Sequence, residues 1–350
     1  MLLIPEAAGP HHPVTGTPDR RPGSVRRTSN IDSTRPDGLA GDLVLIAFAR
    51  DLVTAADGTG STVAEAELLA RTDGRFRLRS LSSHPELAAL QSLLEAVVGP
   101  GFRGRVAAAG SDAPEPGSLL HLLLDDLPGA ALVSGYAVQR AGGFEDEGPR
   151  VLPDPAASGA RETMATMGDD RCAGWAHDAT MMTTIRQQGV VPVSLGPPAP
   201  VLERADDALS WHGIEPLPPH GMRRRRRLDV VAPEAPGGPY HIDAHFRDSH
   251  ADKDGTEWVL HEYAVAGTVD HGGERVLELA AEARVLPWME CPQAVASASR
   301  VAGMALGELR TRVRHELVGR STCTHLNDTL RSLDDVSVLI PVLRGTGYEL

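Results

Sequence analysis

Residues 26–73 read RRTSNIDSTRPDGLAGDLVLIAFARDLVTAADGTGSTVAEAELLARTD, and residues 223–270 read RRRRRLDVVAPEAPGGPYHIDAHFRDSHADKDGTEWVLHEYAVAGTVD. Laid on each other without a gap, at a constant offset of 197, they share 13 identities in 48 positions. Roughly three or four would arise by chance. Arg26-Arg27 falls on Arg223-Arg224, Arg50-Asp51 on Arg247-Asp248, and Asp57-Gly58-Thr59 on Asp254-Gly255-Thr256. Further on the offset becomes 204, where Gly99 matches Gly303 and His121-Leu122 matches His325-Leu326. The chain therefore reads as two copies of one plan.

Within the second copy, Tyr240 to Phe246 alternates polar and apolar residues, as a half-buried strand does. Asp254-Gly255 is a hairpin signal, and Trp258–Val265 and Arg275–Leu279 read as the next strands. A helix is expected over Gln293–Leu317. In the first copy, Leu43–Phe48, Thr62–Ala70 and Phe76–Leu81 read as strands and Pro85–Val98 as a helix. The expected fold class is α+β: internally duplicated antiparallel β plus helix units, related by a pseudo-twofold and joined by a Pro/Gly-rich connector. The expected boundaries are a disordered tail (1–24), a scaffold repeat (25–138), a connector (139–221), a site-bearing repeat (222–340) and a tail (341–350). In the connector, Cys172–Gln188 reads as a helix capped by Gly189, and Val190–Pro200 as an extended strap. Trp175, His177, Trp211 and His212 read as its packing points.

The length of 350 residues suits about two domains. With 34 basic against 47 acidic residues, net −13, a general nucleic-acid binder or a partner of anionic membranes is disfavoured. No apolar run approaches the roughly 18 residues of a membrane helix, and the first residues lack a secretory signal's pattern. Three cysteines cannot make a disulfide framework, so a reducing cytoplasm is expected. Of the 34 basic residues only Lys253 is a lysine, which reads as a bacterial coding bias. Neither a Gly-x-Gly-x-x-Gly turn, a Walker loop nor a Gly-x-Ser-x-Gly elbow is present. No nucleotide cofactor is expected.

The residues Arg223–Arg227, Arg247-Asp248, His261-Glu262, Cys291 and Cys323-Thr324-His325-Leu326, in that order, resemble the bacterial family catalogued as domain of unknown function 2889. The resemblance covers roughly 222–335, and the first half resembles the family's two-copy version. One departure is Thr322, where the family commonly has Gly. The resemblance implies no activity.

The chemistry-bearing residues concentrate in the second copy. His261, Cys291, Cys323 and His325 form a Cys/His set suited to zinc, or to iron. Without a metal, Cys323 activated by His325 or His261 is a nucleophile candidate, and His261 with Glu262 a general acid–base pair. On a regular strand Glu262 would face away from His261. Set against these, buried cysteines behave as small hydrophobes, and His325 can cap a helix starting near Asn327. Arg224 and Arg226, one side of the Arg223–Arg227 run, are candidates to hold an anionic substrate, with His250; pairing with the body's own acids is the competing role. Asp248 reads as a turn aspartate bonded to backbone. His261 corresponds to Ala64 and Cys323 to Leu119 in the first copy, as if one copy kept a site and the other became scaffold.

The functional expectation is a cytoplasmic enzyme acting on a small organic acid or acyl compound by acid–base or metal-assisted lyase, isomerase or hydrolase chemistry. The alternative is a ligand-binding or assembly protein with a structural Cys/His site. The expected partner is a small molecule, with further copies of the chain left open.

Overall fold

A computed structural model describes residues 2–110, 113–141, 169–189 and 191–345. Its frame is one antiparallel sheet of eight strands: β1 (Ser24–Thr34), β2 (Leu43–Thr54), β3 (Gly60–Thr72), β4 (Leu78–His84), β5 (Met222–Val231), β6 (Tyr240–Ala251), β7 (Glu257–Val269) and β8 (Val276–Val285). Their spatial order is β4-β3-β2-β1-β5-β6-β7-β8. The Asp57-Gly58 and Asp254-Gly255 turns place glycine at φ +85° and +81°, a conformation L side chains adopt at a cost. The α+β reading holds. Among the described residues no helix is long and apolar enough to cross a membrane.

The helices are α1 (Phe102–Ala107), α2 (Leu119–Val133), α3 (Gly135–Arg140), α4 (Thr180–Gln188), α5 (Leu309–Glu316), α6 (Thr324–Ser332) and α7 (Val336–Gly345). Helix α2 packs on β1–β3, α6 on β6, and α7 on β1 and β5, so one face of the sheet is helical. The other face is covered at its centre by the connector: Arg26 donates to the carbonyl of Ser210, Arg50 to that of Leu209, and His212 bonds Thr28 and Asn30. Trp211 and His212 are packing points as expected, while His177 is exposed.

Two apolar clusters lie under the outer strands. One gathers Leu45, Leu68, Phe102 and Leu123; the other Phe246, Tyr263, Trp288, Leu326 and Leu339. Between them the central strands β1 and β5 are polar and buried. Alternation along β5 sends Arg223, Arg225 and Arg227 to the connector face and Arg224 and Arg226 to the helical face. All five meet carboxylates, because burying a charge is tolerated when it is paired and hydrogen-bonded.

Several expected elements differ. The helix expected over Gln293–Leu317 is broken into a 3₁₀ stretch Cys291–Val301, a 3₁₀ turn Leu306–Glu308, and α5. The cause is competition for backbone partners. Gly303 and Leu306 donate to the carbonyls of Val276 and Glu274, and Val276 donates to Met304, so this chain borders β8 instead of continuing a helix. Likewise Pro85–Val98 yields only a 3₁₀ helix Ala88–Leu93, because Ala96 and Val98 bond back to Leu78 and Phe76. The Cys172–Gln188 helix is confined to α4, which ends at Gly189 (φ +67°) as expected. The stretch 1–24, expected as a disordered tail, crosses the molecule from residue 2: Leu3 bridges Val193, His11 bridges Val285, and Val14 bonds Arg247 and Glu262. Its few apolar residues misled, since side chains distant in sequence supply the partners that hold it. Connector residues 142–168 lie outside the described residues. The strap 191–200 runs beside the first residues of β7, where Val259 donates to Pro197 and Ala199 donates to Glu257.

Gly129 of α2 lies against the ionic layer. A Cβ there would sit 2.0 Å from Nη1 of Arg224, which Asp248 and Asp328 hold in place. Gly129→Ala is expected to lower stability by about 1–3 kcal/mol through overpacking, read by urea denaturation. No change would mean that the guanidinium moves aside freely.

Candidate functional site

The helical face of β6–β7 and the first turn of α6 bring three side chains together. Asp248 of β6 is registered with His261 of β7, and His325 of α6 descends on both. Nδ1 of His261 and Nε2 of His325 lie 3.5 and 3.7 Å from the same oxygen, Oδ2 of Asp248. The two imidazoles stack at 3.7 Å between centroids, with planes 21° apart. Among the described residues this is the one group of three or more His, Cys, Asp or Glu side chains whose ligand atoms all lie within 4.8 Å of one another.

A β-bulge makes the meeting possible. From Ala251↔Glu257 to Ser249↔Val259 the β6–β7 hairpin is in simple register, which would set Asp248 opposite Leu260. The register then shifts by one, Leu260 is left as the extra residue, and His261 becomes the partner of Asp248. Leu260 packs with Met222 and Ala137.

The electrostatics follow from burial. Asp248 is fully buried, and Arg224 grips it through Nε and Nη2 at 2.9 and 3.1 Å. Burial alone would raise the Asp248 carboxyl, but Arg224 and His261 hold it well below the usual range, so it is a carboxylate. Burial, and then the adjacent His261, pushes His325 well below the ordinary imidazole value, so its ring is neutral near pH 7. Nδ1 of His261 is buried without a hydrogen-bond partner. The His261 and His325 side chains keep 11% and 17% exposure, which leaves the group an opening to solvent. Two imidazoles and a carboxylate aimed at one point form a donor set for a divalent zinc, iron or manganese ion.

The other predicted residues are placed as follows. Cys291 and Cys323 lie in the apolar cluster, and burial raises both thiols, Cys291 well above its ordinary value. Neither sulfur joins the three converging donors. Cys323 is nevertheless near, with Sγ 3.9 Å from Nδ1 of His325. Glu262 faces the opposite side of the sheet, as strand alternation predicted. It is fully buried there between His245 at 2.5 Å and Arg247 at 2.8 Å. Arg224 is taken up by Asp248 and Asp328, and Arg226 by Asp126 and Thr329. The guanidiniums offered for an anionic substrate are thus occupied by the protein's own acids. His250 is buried edge-on against Tyr136, with neither ring nitrogen hydrogen-bonded. Asp248, read as a turn residue, lies inside β6, and it was the member of the site that sequence reasoning missed.

Two cavities lie elsewhere. One of about 560 Å³ opens on the opposite face over Asp229, Asp243 and Glu278; another of about 410 Å³ is lined by Arg103, His121 and Asp125. Neither contains the converging donors, and the donor geometry identifies the site more directly than cavity size does.

All three donors fall in the stretch that the family comparison matches. Residues 222–339 resemble the family described as protein of unknown function (DUF2889). No curated protein and no solved structure matches the chain. The DUF2889 stretch spans β5 to β8, α5, α6 and the start of α7, and so carries the complete Asp248, His261, His325 group.

Proposed function

We propose that this protein is a cation-assisted enzyme acting on a small organic acid or acyl compound, with Asp248, His261 and His325 holding a divalent ion. The observation that carries the reading is the convergence of two imidazole nitrogens on one buried carboxylate oxygen. An ion there would act as a Lewis acid toward a substrate carboxylate or acyl oxygen. The protein's own part is to orient the carboxylate through Arg224, to keep His325 neutral by burial, and to present both rings to solvent on one side. A lyase, isomerase or hydrolase step fits this chemistry better than nucleotide-dependent redox. Three cysteines without a disulfide fit a cytoplasmic setting.

The two halves are copies related by a pseudo-twofold through the β1–β5 pair. Strands β2, β3, β6 and β7 support this, since their bounds repeat at the offset of 197. Arg26 pairs Asp229 while its equivalent Arg223 pairs Asp32, and Arg27–Asp51 repeats as Arg224–Asp248. The same bulge follows Asp51, where Ala64 stands in place of His261. The first half is thus the scaffold copy.

The test is metal analysis after equilibrium dialysis against zinc, manganese and iron(II). Wild type is expected to retain about one ion per chain, and His261→Ala and His325→Ala to lose it with folding intact by circular dichroism. A favourable Arg224–Asp248 contact also suits a purely structural network. Absence of ion retention in wild type would favour that non-catalytic reading.

A further inference from the structure

Cys323 stands outside the converging donors, yet it touches one of them from behind. It precedes α6 in extended conformation (φ −133°, ψ 132°), and His325 follows two residues later. This brings Sγ within 3.9 Å of Nδ1, within reach of a sulfur hydrogen bond, while Nε2 of the same ring faces Asp248. The hydroxyl of Tyr263, buried and without a hydrogen-bond partner, faces the same sulfur. A neutral imidazole offers a lone pair at one nitrogen only while the other carries the hydrogen, and the neighbour of that second nitrogen decides which.

We propose that Cys323 is a positioning residue that sets the tautomer of His325. With an ion beside Asp248, the sulfur accepts Nδ1–H, the Nε2 lone pair is free, and the thiol hydrogen turns toward the Tyr263 oxygen. Without one, the thiol donates to Nδ1, and the ring hydrogen sits on Nε2, toward Asp248 Oδ2. The ring carries one hydrogen and the thiol keeps its own in both states, so no net proton is gained. Entry of the ion thus exchanges the ring hydrogen between nitrogens, with the thiol as donor before and acceptor after. This role rests on the cation reading above and deepens it: metal-ligating histidines are usually held by a partner at the second nitrogen, and here the partner is a thiol.

The experiment is nitrogen-15 NMR of ring-labelled histidines in the full chain, with zinc as the probe. Wild-type His325 is expected as the Nε2–H tautomer without zinc and as Nδ1–H with it. Cys323→Val keeps the volume but not the hydrogen bond. It is expected to lose the Nε2–H preference in the zinc-free protein and to bind zinc about tenfold more weakly. Cys323→Ser, which keeps an acceptor and a donor, is expected to recover most of both. Zinc-free tautomers that are the same in wild type and Cys323→Val overturn the proposal. So does a wild-type ring that binds zinc without the exchange, a result that stands even if Cys323→Val does not fold. Failure of wild type to bind zinc would instead overturn the cation reading, and the zinc-free comparison would still decide the role of Cys323.

Discussion

Arg224→Ala is expected to lower the free energy of unfolding by about 3–5 kcal/mol, the range for breaking a buried ion pair from one side. The side chain of Arg224 is 1% exposed and that of Asp248 0%, so neither can fall back on water. Removing the guanidinium leaves Asp248 without its bidentate partner, and takes Nη1 from its 3.3 Å contact with Asp328. Asp328 keeps Arg103 and Arg331, whereas Asp248 keeps only the His261 and His325 rings, at 3.5 and 3.7 Å. The loss therefore falls mainly on Asp248. The double replacement Arg224→Leu with Asp248→Leu is expected to cost less than Arg224→Ala alone, because it removes the uncompensated charge with its partner. Urea denaturation of the three proteins measures this. A loss under about 1 kcal/mol for Arg224→Ala, typical of exposed pairs, would contradict the buried ionic layer.

Stability is also expected to fall by at least about 3 kcal/mol between pH 7 and pH 5, a figure set by His212, His250 and Asp334 to which the depressed His325 adds. His212 is buried with Nδ1 against the Thr28 hydroxyl and Nε2 against Asn30 Oδ1, both at 2.8 Å, a pairing that fits the neutral ring. Burial, helped by Arg50, lowers it to about 3, and burial, helped by Arg140, lowers His250 to about 4. For a histidine depressed by folding, stability is full above the unfolded value near 6.5 and drains as pH falls toward the folded value. Each ring thus removes about 1.4 kcal/mol per pH unit, or about 4 kcal/mol for the two by pH 5. Asp334 works the other way. Burial raises it to about 6, so its protonation returns about 1.4 kcal/mol by pH 5. The carboxylates depressed in the fold, Asp248, Asp328 and Asp125, contribute fully above about pH 4 and lose their share only below it. Urea denaturation at pH 7, 6 and 5 reads the slope, and His212→Gln should take about 2 kcal/mol off the fall. A flat profile would show that these rings accept protons in the folded state.

Much of the architecture was legible because strands obey local periodicity and turn chemistry. Asp-Gly marks the hairpin, alternation marks β6, and an offset of 197 carries the bounds of β2 and β3 onto those of β6 and β7. The Arg223–Arg227 run was legible as a two-faced strand for the same reason. The segments after β4 and β8 were not. Their composition suits a helix, but their backbone groups find partners on neighbouring strands, and composition does not report such competition. The N-terminal stretch was misread likewise, since Arg247 and Glu262, which hold Val14, lie more than two hundred residues away.

For the candidate site the division is sharper. Sequence alone singled out His261 and His325 as chemistry-bearing, put Glu262 on the opposite face, and marked the second half by its departure at Ala64 and Leu119. These follow from residue type, the period of a strand, the ungapped alignment of residues 26–73 on 223–270 and, for Leu119, the later offset of 204. Only the tertiary structure decided that Asp248, and not a cysteine, joins the two rings. A hairpin counted out from Asp254-Gly255 sets Asp248 against Leu260, and one extra residue in β7 moves His261 into that place. The bulge leaves Leu260 against Met222 and Ala137, and a shift of one residue in a two-residue period changes which side chains meet.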